Sequence, residues 1–435
     1  MEITYKKLPK IFYKKAKILV EPKELVVYNE SLAKELDLSI PDKDKEVIAT
    51  AYAGFQFGHL SNLGDGRAVL FEHLTKNNER IDVAIKGSGK TAYSRPNSDG
   101  KAAIGPMLRE YIVSEAMHFL NIKTSRSLAV FLTGEDVYRQ DKLKGSMLIR
   151  TCKSHIRVGT FNFAAYFAGK EDLRKLADYT IERHFPSANS YLDFFRLVCI
   201  SQARLIASWQ SIGFIHGVMN TDNMQIAGET IDYGPCAFLD VYNEEAVFSS
   251  IDVHGRYKYK NQPIIGAWNL ARLAENLMPL INDKEEIAIE LLQKELKTYW
   301  KTYNDEWLFL MRKKLGIEDG KEEDIHLVNE FLRLLKENKL DYTFSFMKLS
   351  MGEKLDVEGF SEWEEGYKKR KTIKPINPFV IPRNGYLEDV LMKCESGSFK
   401  EFNEFLEALR NPFKFHDKYS KIPPSSEGYR TFCGT

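Results

Sequence analysis

The spacing of apolar positions changes character near residue 170. Before it, short apolar runs bounded by Gly or charged residues predict strands at 67–74 (RAVLFEHL), 81–87 (IDVAIKG), 127–132 (SLAVFL) and 146–152 (SMLIRTC). One segment breaks that rhythm. In 107–122 (MLREYIVSEAMHFLNI), Leu108, Ile112, Ala116 and Phe119 recur at helical spacing, which predicts a helix with Glu110 in its first turn. Residues 1 to about 50 mix brief apolar runs with lysines and read as a turn-rich lead-in ending at PDKDKEV. After residue 170 helical periodicity dominates, most clearly at 171–184 and at 190–213, the latter opened by a Ser and closed by Gly213. A polar, irregular insert follows at 215–235, and helical, Lys/Glu-rich sequence covers 284–338. No repeat or low-complexity segment interrupts this order.

Composition narrows the class of protein. With 43% hydrophobic and 12% aromatic residues the chain buries a core and is not disordered. Lys+Arg total 62 against 61 Asp+Glu, a net charge of +1, which argues against nucleic acid as a partner. No run approaches the roughly 20 apolar residues of a membrane span, and the N-terminus has no apolar core of a secretory signal. The five scattered cysteines suit a reducing compartment, so no membrane partner and a cytoplasmic location are expected. A β-rich part with one helix, followed by a helical part whose first polar loop interrupts the helices, is the order of a two-lobed kinase-type nucleotide-binding fold.

Several segments could carry nucleotide chemistry. GSGKT (87–91) ends like a Walker A loop, but Ala84 stands where its first Gly is needed and Pro96 and Gly100 disfavour a following helix. It reads as a Gly-rich turn. Val83-Ala84-Ile85-Lys86 reproduces the strand-borne VAIK of protein kinases, whose Lys needs a helix carboxylate, for which Glu110 and Glu115 are available. LGDGR (63–67) stands where a kinase has its glycine-rich loop, without the third glycine because residue 69 is Val. In the loop after His216, Asn223 keeps the kinase spacing, but Val218 replaces the kinase aspartate. Asp222 adjoins Asn223, and Asp232-Tyr233-Gly234 follows as a DFG equivalent. Asn223 and Asp232 offer hard oxygen ligands for Mg²⁺, and Asp222 could serve as a base from a shifted position. Arg150 and Arg157 could clamp phosphate.

These segments together resemble the selenoprotein-O (YdiU) family of protein adenylyltransferases. The resemblance runs through GFQFGHLSNLGDGRA, IKGSGKTAYSR, LREYIVSEAM, TGEDVYR, SHIRVGTF, HGVMNTDNM, TIDYGPCAFLD, QPIIGAWNLARLAE, INPFVIPRN and the tail YRTFCGT, and so spans nearly the whole chain. It implies an α+β, protein-kinase-like fold: an N-terminal extension (1–50), a β-rich N-lobe (51–153), a helical C-lobe (154–340), and a C-terminal helical extension and tail (341–435). It implies AMP transfer from ATP, bound flipped relative to kinases, onto Ser, Thr or Tyr hydroxyls of proteins, with UTP a conceivable second donor. Gly64, Gly66, Arg67, Lys86, Asp99, Gly100, Arg150 and Arg157 fall on its nucleotide-binding positions, with one extra residue before the Asp99-Gly100 pair. Asp222 falls on its proton acceptor, Asn223 and Asp232 on its ligands for Mg²⁺ or Mn²⁺, and Glu110 on the partner of the lysine. Cys433 stands where relatives carry a C-terminal Cys or selenocysteine. A γ-phosphate-transferring kinase and an inactive nucleotide-binding scaffold are the competing readings.

Overall fold

The computed structural model describes residues 3–423 and 428–432; Cys433 lies outside the described residues. In chain order the elements are β1 (Tyr13–Ala16), β2 (Glu24–Tyr28), α1 (Glu30–Leu36), β3 (Val47–Gln56), β4 (His59–Gly64), β5 (Ala68–Leu74), β6 (Arg80–Lys86), β7 (Ala102–Ala103) and α2 (Ile104–Phe119). Then come β8 (Arg126–Tyr138), β9 (Lys142–Cys152), α3 (Val158–Phe163), α4 (Lys170–His184), α5 (Tyr191–Ser211), β10 (Phe214–Ile215), β11 (Ala237–Phe238), α6 (Gln262–Ile281) and α7 (Glu285–Leu315). Finally α8 (Asp324–Glu337), α9 (Tyr342–Met351), α10 (Phe360–Arg370), α11 (Asn384–Glu395) and α12 (Lys400–Arg410) close the chain. An antiparallel sheet with one packed helix precedes a helical part, the mixed α+β, kinase-like order expected from the sequence.

The sheet runs β1-β3-β5-β6-β9-β8-β2, with β4 added on β3 and β7 on β9. The first fifty residues, which read as turns, therefore supply both ends of this path, because β1 pairs with β3 and β2 with β8. Register places the first functional side chains. Ala84 lies opposite Arg150 across β6 and β9, and Lys86 follows Ala84 by two, so Lys86 and Arg150 share one face of the sheet.

Helix α2 crosses this sheet. It begins at Ile104, three residues before the expected start, and tolerates Pro106 because first-turn N–H groups have no intrahelical acceptor. Glu110 consequently lies in the second turn, not the first. Its charge is held by Lys86 and Arg150 and not by the helix end. The predicted apolar stripe is also only part of the burial. Almost every residue from Ile104 to Met117 is buried, since α11 and α12 cover the helix on the side away from the sheet.

Helix α5 starts with a Ser190 side-chain cap on the Asp193 N–H, and the chain leaves it through Gly213 at φ +72°. There β10 pairs with β11, Phe214 opposite Phe238 and Ile215 opposite Ala237. This small clip draws together both ends of 216–236 and sets the His216 loop beside the Asp232 loop. A second apolar core gathers Phe331, Phe346 and Trp363 among the C-terminal helices and reaches the β10–β11 clip through Ile215 and Leu239. The described cysteines, Cys152, Cys199, Cys236 and Cys394, are buried free thiols. Among the described residues no helix is long and apolar enough to cross a membrane.

Candidate active site

Three cations from two strands and a helix cap meet two carboxylates between the sheet and the helical part. Lys86 Nζ lies 2.6 Å from Glu110 Oε2 and 3.1 Å from Asp232 Oδ1. Arg150 Nη1 bridges the same pair, 2.8 Å from Glu110 Oε1 and 2.7 Å from Asp232 Oδ1. Arg157, the N-cap residue of α3, approaches Asp232 Oδ2 at 3.9 Å. Burial alone would raise the Asp232 carboxyl, but Arg150, Lys86 and Arg157 outweigh it and hold Asp232 well below the usual carboxylate range. Glu110 is lowered too: burial opposes the shift, and Lys86 and Arg150 drive it. Three cations share two carboxylates, so the cluster retains a positive surplus suited to phosphate. Asp232 sits at φ +61°, a left-handed backbone position that few non-glycine residues adopt. Glu115, the other helix carboxylate, belongs elsewhere. It pairs with Arg126 Nε at 2.7 Å and Asn29 Nδ2 at 2.7 Å in a buried structural contact.

The loop after His216 supplies a carboxylate of opposite character. Asp222 is buried, its Oδ1 has no hydrogen-bond partner, and burial pushes its carboxyl up to about 6 against the pull of Arg157. The β3–β4 hairpin closes over it. A Cβ on Gly54 would come 2.0 Å from Asp222 Oδ1, and the Phe55 N–H donates to Thr221 Oγ1 at 2.9 Å. The loop is fixed from below as well: His216 Nε2–H donates to the Ile231 carbonyl at 2.9 Å, and Asn269 Nδ2 donates to that of Met219 at 2.9 Å. Val218 is buried at the kinase aspartate position.

The glycine-rich segment 64–67 abuts the Lys86 end of β6, because Ala68 lies opposite Lys86. The Arg67 carbonyl accepts the Gly87 N–H at 2.8 Å. Gly64 and Gly66 pack directly on Tyr93, where a Cβ on Gly64 would come 2.4 Å from the ring. GSGK forms a turn at positive φ with no helix after it, as its sequence indicated. Gly100, at φ +71°, takes the Gly89 N–H on its carbonyl at 3.1 Å. Asp99 stands apart from the cationic cluster: its described side-chain partners are Arg139, at 2.8 Å, and the Lys101 N–H, at 2.9 Å.

Sequence reasoning missed several participants. Tyr52 on β3 lies under the Arg157 guanidinium, 4.3 Å from ring centroid to Cζ. Asp65 is buried and ties the hairpin base, accepting the Thr50 N–H at 2.9 Å and hydroxyl at 2.6 Å. Gly54 and Thr221 set the hairpin on the Asp222 loop. The GFQFG repeat of glycine and aromatic residues was the available signal for that tip.

A divalent cation fits the donor set in chemistry. Asn223 Nδ2 donates to the Val218 carbonyl at 3.1 Å, leaving its Oδ1 as an acceptor, and Asp232 is held ionised. Two such oxygens suit a metal that takes its other ligands from phosphates and water. Among the described residues no three His, Cys, Asp or Glu side chains gather into a metal-binding group.

Comparison with known proteins gives the family. The family model "Protein adenylyltransferase SelO" matches residues 12–365. A "Protein nucleotidyltransferase YdiU" of Geobacillus kaustophilus is 48% identical, covering 99% of this chain and 98% of its own. One from Clostridium botulinum (strain Eklund 17B / Type B) is 47% identical over 100% of this chain and 97% of its own. The specific rhoptry antigen kinase domain of Toxoplasma gondii aligns over 66% of this chain and 86% of its own, with 8% identity and a TM-score of 0.29, too low to argue from.

Proposed function

The chain belongs to the SelO/YdiU family of protein nucleotidyltransferases, and from that premise we propose that it transfers AMP from ATP to Ser, Thr or Tyr hydroxyls of proteins. The observation that carries the reading is Asp222. A buried carboxylate with a free oxygen and a proton affinity near 6 is matched to accept a proton at neutral pH, while the kinase position holds Val218. Lys86, Arg150 and Arg157 would bind the β- and γ-phosphates, with Arg67 at the glycine-rich loop. In this reading the nucleotide is flipped relative to that of a kinase, its α-phosphorus facing Asp222, with Arg157 close to both Asp222 and Asp232. The acceptor oxygen then attacks the α-phosphorus in line as its proton passes to Asp222. The bond to the bridging oxygen breaks, and pyrophosphate leaves against the positive surplus of the three cations. Asn223 and Asp232 would hold Mg²⁺ or Mn²⁺, which when bound neutralises phosphate charge. Asp99 and Gly100 would border the nucleotide from beside the Gly87–Gly89 turn. UMP transfer from UTP follows the same chemistry.

ATP labelled at the α or the γ phosphate, incubated with the protein and either metal, tests the reading. Retention of α label on protein supports it; retention of γ label alone identifies a kinase, and retention of neither, with ATP bound, identifies a scaffold.

A further inference from the structure

The hairpin tip over Asp222 is seated on an aromatic–arginine stack that the transfer chemistry leaves unused. Trp268 on α6 holds two guanidinium groups against its ring, with Arg256 Cζ 4.8 Å and Arg272 Cζ 5.1 Å from its centroid. The tip adds Phe55, 5.7 Å edge-on to Trp268, and Phe57, 5.5 Å from Tyr257. Phe57 is 40% exposed and sits at φ +51°. The stack borders the proposed base directly, because Tyr257 OH donates to Asn220 Oδ1, two residues before Asp222, and the Asp222 charge acts on Tyr257.

Its charge is unbalanced. Arg272 pairs with Glu275, whereas among the described residues the Arg256 guanidinium meets no carboxylate within ion-pair distance. The Nε atoms of both arginines are buried without a hydrogen-bond partner. Stacking uses a guanidinium's face and leaves its N–H edge to donate, in a geometry that fits a carboxylate.

Resting on the adenylyltransferase reading, we infer that this stack is an acceptor subsite, which selects protein segments carrying Asp or Glu beside the target hydroxyl. Arg256 contributes the uncompensated charge, Trp268 fixes the plane of its guanidinium, and Phe57 presents an apolar edge to the acceptor backbone.

The test uses the full chain, α-labelled ATP and two peptides with the same acceptor hydroxyl flanked by Glu or by Lys. The Glu peptide is expected to have the higher kcat/KM by about fivefold or more, and the margin to shrink as salt is added. Arg256→Glu inverts the preference and Arg256→Lys keeps most of it, with binding of a non-hydrolysable ATP analogue unchanged in both. Equal labelling of the two peptides by the wild type overturns this inference alone. So does a preference that survives Arg256→Glu, or a loss of nucleotide binding in that variant, which would assign the stack to the base of the nucleotide. Absence of α-label transfer to every acceptor, the protein itself included, overturns the adenylylation reading and this inference with it.

Discussion

Replacing Asp222 by Asn should stabilise the protein while removing its activity. The side chain keeps its shape but loses a buried charge whose carboxyl is pushed from the ordinary 3.8 up to about 6. At about 1.4 kcal/mol per pH unit, that gap means ionised Asp222 costs the fold about 3 kcal/mol. The sign follows from the direction. A carboxyl raised in the folded state contributes stability below its unfolded value near 3.8, and that contribution is lost as pH rises through about 6. Urea unfolding of wild type and Asp222→Asn should therefore agree to within about 1 kcal/mol at pH 4 and diverge by about 3 kcal/mol at pH 8, the variant being the more stable. In the same preparations AMP transfer should fall by a factor of about 10² to 10⁴. Equal stability at both pH values would refute the buried-charge argument. An active Asp222→Asn would refute the role of the carboxylate.

Further outcomes follow from neighbouring contacts. In the wild type, transfer should fall about tenfold per pH unit below pH 6 as Asp222 is protonated, measured as kcat/KM with a fixed peptide. Glu110→Gln leaves Lys86 and Arg150 with one carboxylate fewer in a buried site, so it should cost about 3–5 kcal/mol by denaturant unfolding and weaken ATP binding. Gly54→Ala places a methyl 2.0 Å from Asp222 Oδ1 and should cut transfer sharply while leaving ATP-analogue affinity within about twofold, since the cationic cluster is untouched. Val218→Asp restores the kinase residue but buries an unpartnered carboxylate; it should destabilise the protein by about 2–4 kcal/mol and produce no γ-phosphate transfer.

What the sequence disclosed depended on whether a feature was local. Strands β5, β6 and β9 and helices α4 and α5 were legible because each carries a continuous apolar signal with Gly, Ser or charged residues at its ends. The edge strands β1 and β2 are short and Lys- or Glu-bearing, and β3 is diluted by Ala and Gly, so pairing with the sheet and not propensity makes them strands. The start of α2 was misplaced because Pro106 looks like a breaker and is in fact a first-turn residue. In the site, Lys86, Glu110, Asp222, Asn223 and Asp232 stood out as chemistry-bearing types at fixed spacing. Tyr52 and Thr221 did not. Their roles arise from packing across more than a hundred residues, Tyr52 beneath Arg157 and Thr221 on the Phe55 N–H, and no local pattern records that. Nor does the motif that marks Asp99 record its pairing with Arg139.

In the proposed reaction Asp222 directs an acceptor hydroxyl to the α-phosphorus of ATP. Intact-mass and peptide mass spectrometry after incubation with ATP and Mg²⁺ or Mn²⁺ tests it most directly. A Ser, Thr or Tyr should gain the mass of an AMP group in the wild type and nothing in Asp222→Asn. A gain equal to a single phosphate, or an AMP adduct of undiminished yield in Asp222→Asn, would contradict it.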